Sequence, residues 1–308
     1  MTTPERNHRE LSSLWPLYLI KMLDLFGKID EFFKNIMIDV IKDNLSAMLL
    51  DINEKVGTVA GEVGKTPSSW NSEVFAFIKS INENVVLPIA VIILTAICCI
   101  ELIQVVMQKN SMHDTDTFEF FKYIIKMWVA VWLVSHAFEF SMAVFDVAQD
   151  MVGKAAGVVG SSANIAPGDF DAMVDALKEK SVGTLIGISL ETGLVKISLT
   201  ILSVLITVIL YGRMIEIYIY CSVAAIPFAT MGNKEWSSIG TNYIKSLFAL
   251  GLQGLFILIF FGIYAVLVKT VNFTDIHVSI LKVLAYGLIL GVMMMKSGSI
   301  AKAILNSH

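Results

Sequence analysis

The chain is poor in charge. Only 16% of its 308 residues are Asp, Glu, Lys or Arg, against about 25% in soluble domains. With 56% hydrophobic residues and a mean hydropathy of +0.71, that shortfall excludes an ordinary soluble domain. It predicts an all-α, polytopic integral membrane protein. The net charge of −4 excludes a basic coat for nucleic acid. Cysteine is scarce too: Cys98, Cys99 and Cys221 all lie in apolar runs. Neighbouring Cys98 and Cys99 do not pair with each other, so no disulfide framework is expected, and buried Cys acts as a small hydrophobe. The histidines (His8, His113, His136, His277 and His308) lack ligand spacing, so no metal or other cofactor is expected. No Ser/His/Asp, Cys/His, HExxH or paired-carboxylate arrangement suggests an enzyme. A signal peptide is not expected either, because Leu17–Ile20 is short and Pro16 interrupts it.

What the chain has is long apolar runs. The central one, Leu194 to Thr230, is almost uniformly apolar but carries Arg213 and Glu216 in its middle. A span needs about 20 apolar residues. This run is too long for one upright helix and too short for two with a loop. A buried Arg is costly unless paired or hydrated. Glu216, three residues on, shares a helical face with it, so an intramembrane charged pair is expected. A kink is expected at Pro227 or near Arg213–Glu216.

Residues 1–84 read as an amphipathic helical region and a linker. Helical spacing of polar and apolar residues runs from Leu11 to about Lys55, with Gly27 a weak interior point. Residues 57–72 are rich in Gly, Ser and Pro and read as the linker. Gly64-Lys65-Thr66 resembles the end of a phosphate loop, but Val59 stands where that motif needs Gly. The first two spans fill 85–145. One runs from about Val85 to Met107 with Pro88 in its first turn. The other runs from about Tyr123 to Val144, with Trp128 and Trp132 at an interface and His136 and Glu139 as a capping or snorkelling pair.

Residues 146–193 form a long outer loop, rich in small residues, with a short helix from Asp169 to Lys180. Gly153/Gly157 and Gly183/Gly187 have the spacing that permits close helix approach. This loop is the candidate cargo or partner segment, represented by Ser161, Ala172 and Ser181. Residues 194–295 hold the central span and two more, about Ile244 to Val268 and Val278 to Met295. Gly251 and Gly254, and Gly287 and Gly291, are the expected helix-packing positions. Residues 296–308 are the tail.

Charge orients the chain. Segments 108–126, 232–245 and 296–308 hold seven Lys/Arg in 46 residues. Segments 62–84, 146–196 and 269–282 hold eight in 88 residues, with eleven acidic ones. The first set is therefore assigned to the cytoplasm. The two sets alternate if Leu194–Thr230 crosses once, which gives five spans, an outside N-terminus and an inside C-terminus. The competing arrangement has six spans and a hairpin at Gly212–Arg213.

The stretch Tyr211 to Val268 carries a resemblance. Arg213 with Glu216, Ala225-Ile226-Pro227-Phe228-Ala229, Glu235-Trp236, Tyr243-Ile244-Lys245-Ser246 and Ala249-Leu250-Gly251-Leu252-Gln253-Gly254 are similar to TrbL-like inner-membrane subunits of type IV secretion systems. The form resembled is that of Gram-positive conjugative elements. The resemblance implies five spans and a long outer central loop in the cytoplasmic membrane. It further implies a homo-oligomeric channel or scaffold subunit that helps single-stranded DNA with attached relaxase to cross. Expected partners are other subunits of the machine, its ATPases and membrane lipids. Such subunits are not enzymes. A secondary transporter or ion channel is the alternative. Transporters show internal repeats and paired broken helices, and no repeat is visible here.

Overall fold

The computed structural model describes residues 5–107, 117–163, 175–271 and 275–307, and among them there is no strand. Helix α1 runs from Glu5 to Val63, 59 residues. It passes through Gly27, whose cost of about 1 kcal/mol is spread over a long helix. The expected linker at 57–72 is not a linker: its first two turns belong to α1. The chain turns only at Gly64–Thr66, where the Gly64 amide donates to Ala60 O at 3.1 Å. Gly64-Lys65-Thr66 thus closes one helix, and the Thr66 hydroxyl caps the next, α2 (Pro67–Trp70). Asn71 caps α3 (Ser72–Ile81) by accepting from the Glu73 and Val74 amides.

The first span starts earlier than Val85. Helix α3 continues through a π-helical turn, Asn82–Val86, into α4 (Leu87–Met107). Pro88 therefore lies in the helix interior, not in a first turn. It has no N–H for the carbonyl four residues back, and its ring crowds that carbonyl. The wider turn relieves this: the Leu87 amide reaches back five residues to Asn82 O. The second span is not one straight helix. Helices α5 (Thr117–Ser135) and α6 (Ala137–Ala163) meet at His136 with a bend of 68°. The His136 ring hydrogen-bonds Trp132 O at 2.9 Å, and Glu139 opens α6.

The described parts of the expected outer loop are mostly helical. Residues 146–163 continue α6, and 182–193 begin α7 (Val182–Ser222). The helix expected over Asp169–Lys180 lies outside the described residues up to 174; 175–178 are helical. Helix α7 has 41 residues, about 60 Å at 1.5 Å per residue, twice the hydrocarbon thickness. It runs unbroken through Gly212, Arg213 and Glu216, which removes the six-span hairpin. The central run breaks at Val223–Ala224 instead, ahead of Pro227. The short helix α8 (Ala225–Thr230) follows, then α9 (Ser237–Lys269) and α10 (Ile276–Ile304). The expected tail continues α10 as far as Ile304.

Four helical runs are long and apolar enough to cross a membrane: Ser72–Met107, Val182–Ser222, Ser237–Lys269 and Ile276–Ile304. The bent pair Phe120–Ser135 and Ala137–Gly160 makes five if it crosses as one span. The protein is an all-α polytopic membrane protein.

The chain forms two compact units, each discontinuous in sequence. The first comprises Met1–Ile52, Ile165–Ile201 and Thr270–Tyr286. Ile41, Leu185, Ile188 and Ile280 are buried there. Asn44 donates to Thr192 Oγ1 at 3.3 Å and accepts from Lys196 at 3.2 Å; His277 meets Glu191 at 2.6 Å. The second comprises Asn53–Asn164, Leu202–Lys269 and Gly287–His308. Helix α9 is its central element: half of its most apolar window is buried, against 17% for α7. Gly251 lies against Ala148 of α6 and Gly262 against Val159, so absent side chains let the two helices approach closely.

Candidate functional site: a buried polar seam beside a broken span

The second unit carries its polar chemistry where α7, α9 and α10 meet. Arg213 is 6% exposed. Its Nε donates to Leu250 O at 3.1 Å. A Cβ on Gly254 would sit 2.8 Å from the Arg213 Nη2 and 2.8 Å from Val63 Cγ1. Gly254 is therefore the notch that receives the guanidinium. The expected Arg213–Glu216 pair is not formed. Glu216 accepts from Lys302 Nζ of α10 at 3.2 Å, with both side chains about 40% exposed. The two residues share a face of α7, but Arg213 turns to α9 and Glu216 to α10. Among the described residues no carboxylate pairs with Arg213, so a single neutral carbonyl takes its hydrogen bond.

One residue before Gly254, Gln253 is 7% exposed. It donates to Ser297 Oγ at 3.1 Å, and Ser297 in turn donates to Met294 O at 2.7 Å. Its Oε1 is buried and has no hydrogen-bond partner among the described residues. Farther along, Ser246 meets Ser307 at 3.0 Å. Asn306 and Ser307 thus pack back on α9, and Asn306 adopts a left-handed conformation (φ 48°) to make that turn.

The break between α7 and α8 is the second part of the site. Pro227 has no N–H, and the Ile226 amide bonds Val223 O, so the carbonyls ahead of it lose their regular helical donors. Buried side chains replace them. Asn82 donates to Ser222 O at 2.8 Å and Cys221 O at 3.3 Å. Tyr243 donates to Tyr220 O at 2.9 Å and meets Ser141 Oγ at 3.1 Å. Tyr218 donates to Pro67 O at 2.6 Å. Broken helices persist at membrane depth only where protein groups re-satisfy the freed backbone. Helix α8 wedges against α4 and α5, with Phe228 and Ala229 buried. Nearby, Lys126 pairs with Glu101 at 2.8 Å and Tyr123 donates to Cys98 O at 2.9 Å.

The other expected positions divide. Gly251 and Gly254 are close-contact points, and Gly291 packs on Leu202, where a Cβ would come within 2.8 Å. Gly287 is buried. A Cβ at Gly153, Gly157, Gly183 or Gly187 would meet nothing within 4 Å, so these four mediate no close packing among the described residues. Ser161 lies in the last turn of α6. Ala172 lies outside the described residues. Ser181 caps α7, its Oγ accepting from the Thr184 amide at 3.3 Å. Ser161 belongs to the second unit and Ser181 to the first. Asn82, Tyr243 and the Gln253–Ser297 and Glu216–Lys302 contacts were not anticipated. The signal for the first two is Pro227, whose missing N–H demands buried donors nearby.

A family model described as TrbL/VirB6 plasmid conjugal transfer like protein matches residues 52–225, more than half of the chain. The chain belongs to the TrbL/VirB6 family. The match takes in Asn82, the bent pair, and α7 with the break that follows it. The motifs that carried the resemblance overlap it only over 211–225, so most of the match rests on residues 52–210. No match was found among curated proteins or among solved structures. The chain is thus a membrane subunit of a conjugal-transfer or type IV secretion machine, associated with its other components.

Proposed function

We propose that this subunit is a homo-oligomeric channel or scaffold in the cytoplasmic membrane that helps single-stranded DNA, with its attached relaxase, to cross. The observation that carries the reading is the span α7 in a TrbL/VirB6 chain: it holds a buried Arg213 that has no ion partner among the described residues, and it ends in a braced break at Ser222–Ala225. Irregular backbone and ionisable groups inside a membrane mark pathways more often than passive anchors. No catalytic role is proposed; partner ATPases supply the energy.

In this proposal 146–193 faces the outer side and meets cargo or partner proteins. The segment holds three Lys and seven acidic residues. Firm phosphate binding needs many neutralised phosphates, so the segment suits a weakly interacting lining rather than a clamp. The test is conjugal transfer with photo-crosslinkers at Ser161, Ala172 and Ser181, beside an in-frame deletion of the gene. Loss of transfer on deletion, and DNA captured at any of the three positions, support the channel reading. Undiminished transfer without the protein overturns it. Crosslinks to protein alone at all three positions remove the lining role and leave a scaffold.

A further inference from the structure

Helix α1 carries an apolar stripe that is exposed among the described residues. Leu19, Phe26, Phe33 and Val40 fall seven residues apart, and all are exposed. Met22, Ile29 and Ile36 fall seven apart as well and are exposed too. The two sets are offset by three residues, which makes them the a and d positions of a heptad over about three repeats. The position before the first three a residues is also apolar and exposed: Tyr18, Leu25 and Phe32. Over the first two repeats the positions opposite are charged, Lys21, Asp24, Lys28 and Glu31, with Asp24 held by Lys28 at 2.8 Å.

This stripe is not the face by which α1 packs in its own unit. Among the described residues of α1 there, Ile38, Ile41, Leu45 and Met48 are buried. At about 100° per residue they lie well round the helix from the stripe, beyond a right angle. The chain thus uses one face for itself and leaves the other open.

Lipid is a poor occupant. Helix α1 is not among the runs apolar enough to span. Interfacial helices carry a basic polar face, yet residues 18–43 hold four Lys against five Asp or Glu. A lipid-facing stripe also has no reason to keep a seven-residue repeat, whereas a helix partner with the same repeat does. The exposed stripe offers on the order of 800 Å² per copy, about what each side contributes to a standard interface.

We infer that α1 is a self-association element: copies of this chain pack their α1 helices in parallel through the Leu19–Val40 seam. All copies share one orientation in the membrane, so the bundle is parallel and closed. The apolar flank at Tyr18, Leu25 and Phe32 widens the seam beyond a strict a/d stripe. Each helix then touches two neighbours, which requires more than two copies. The inference rests on the oligomeric reading above and assigns it a surface.

The test uses the full-length chain in its membrane, with Cys98, Cys99 and Cys221 replaced by Ala. Single cysteines are placed at Phe26, Ile29 and Phe33 in the seam and at Asp24 and Glu31 on the far side, then oxidised. The expected result is intermolecular crosslinking several-fold stronger at the three seam positions than at the two controls. Equal crosslinking at all five, or none at any, overturns the seam. Quenching by brominated lipid at the seam positions, without crosslinks, assigns the stripe to lipid and also overturns it. A doubly substituted chain, Ile29→Asp with Phe33→Asp, should insert normally but run at lower mass in mild detergent. If seam crosslinks form but the protein proves dispensable for transfer, the seam stands and the channel reading falls. If transfer needs the protein but no seam crosslinks form, the reverse holds.

Discussion

The side-chain amide of Asn82 lies 2.8 Å from the carbonyl oxygen of Ser222, across 140 positions of sequence. Each residue sits at an irregularity: Asn82 opens the π turn ahead of Pro88, and Ser222 ends α7 ahead of Pro227. Two prolines five or six residues downstream thus loosen two helices at one place, and one side chain joins them. Leaving buried carbonyls without a donor costs about 1–3 kcal/mol. Asn82→Leu should therefore lower the midpoint of thermal unfolding in detergent clearly, while Asn84→Leu, at an exposed site bonded only within its own helix, should not. Equal midpoints for the two variants would mean that Asn82 does not brace the break.

Arg213 and Glu216 separate in their consequences. Had they formed a buried pair, removing either would strand the other, at a cost of about 3–5 kcal/mol. The structure gives Glu216 a half-exposed partner, Lys302, and gives Arg213 the Leu250 carbonyl. Glu216→Gln should then cost about 1 kcal/mol or less, after solvent screening. Arg213→Ala should be worse, because it empties the space that Gly254 leaves for the guanidinium and strands none of the charges. Membrane-inserted protein level and transfer frequency, measured on both variants, check this. Equal, severe losses would restore the direct pair.

The helical class, the apolar runs and the positions of the two charges were legible because hydropathy and three- to four-residue spacing report directly on membrane burial and helix face. Partner choice was not. Spacing placed Glu216 beside Arg213, but which neighbour each side chain turns to depends on how α9 and α10 pack. The start of the first span is hidden for a related reason. The apolar run begins near Pro88, whereas capping by Asn71 starts the helix 16 residues earlier. The loop at 146–193 was inferred from small residues, which in α6 and α7 are helical because those helices extend past the apolar core. The match over 52–225 also lies mostly upstream of the motifs that carried the resemblance.

The glycines make a graded test of close packing. At Gly254 an added Cβ falls 2.8 Å from both Arg213 Nη2 and Val63 Cγ1, and at Gly251 it falls 3.0 Å from Ala148 Cβ. At Gly212 and Gly187 it meets nothing within 4 Å. Overpacking costs about 1–3 kcal/mol, whereas Ala in place of a helical Gly in open space is favourable by roughly 0.5–1 kcal/mol. Gly254→Ala and Gly251→Ala should lower the unfolding midpoint; Gly212→Ala and Gly187→Ala should hold or raise it. Because Arg213 is flexible, Gly254→Val is the more severe variant and should also displace the guanidinium. The order fails if Gly212→Ala is as damaging as Gly254→Ala.

Topology turns on the bent pair. Helices α7, α9 and α10 are each long and apolar enough to span; if each crosses once, Ser181 and Ile304 face opposite sides of the membrane whatever α5 and α6 do. Helices α3 and α4 make one crossing after Ser72. If the α5–α6 pair crosses once despite its 68° bend, Ser72 and Ser181 share a side. If the pair enters and leaves by the same face, they do not. The excess of Lys over 108–126, 232–245 and 296–308 favours the single crossing, with those segments inside. In cells expressing single-cysteine variants in the background without Cys98, Cys99 and Cys221, an impermeant thiol reagent should label Ser72→Cys and Ser181→Cys but spare Ile304→Cys. Labelling at Ser181→Cys with Ser72→Cys protected would make α5–α6 a re-entrant hairpin and reduce the spans to four. Labelling at Ile304→Cys alone would invert the whole arrangement and set the charge rule aside for this chain.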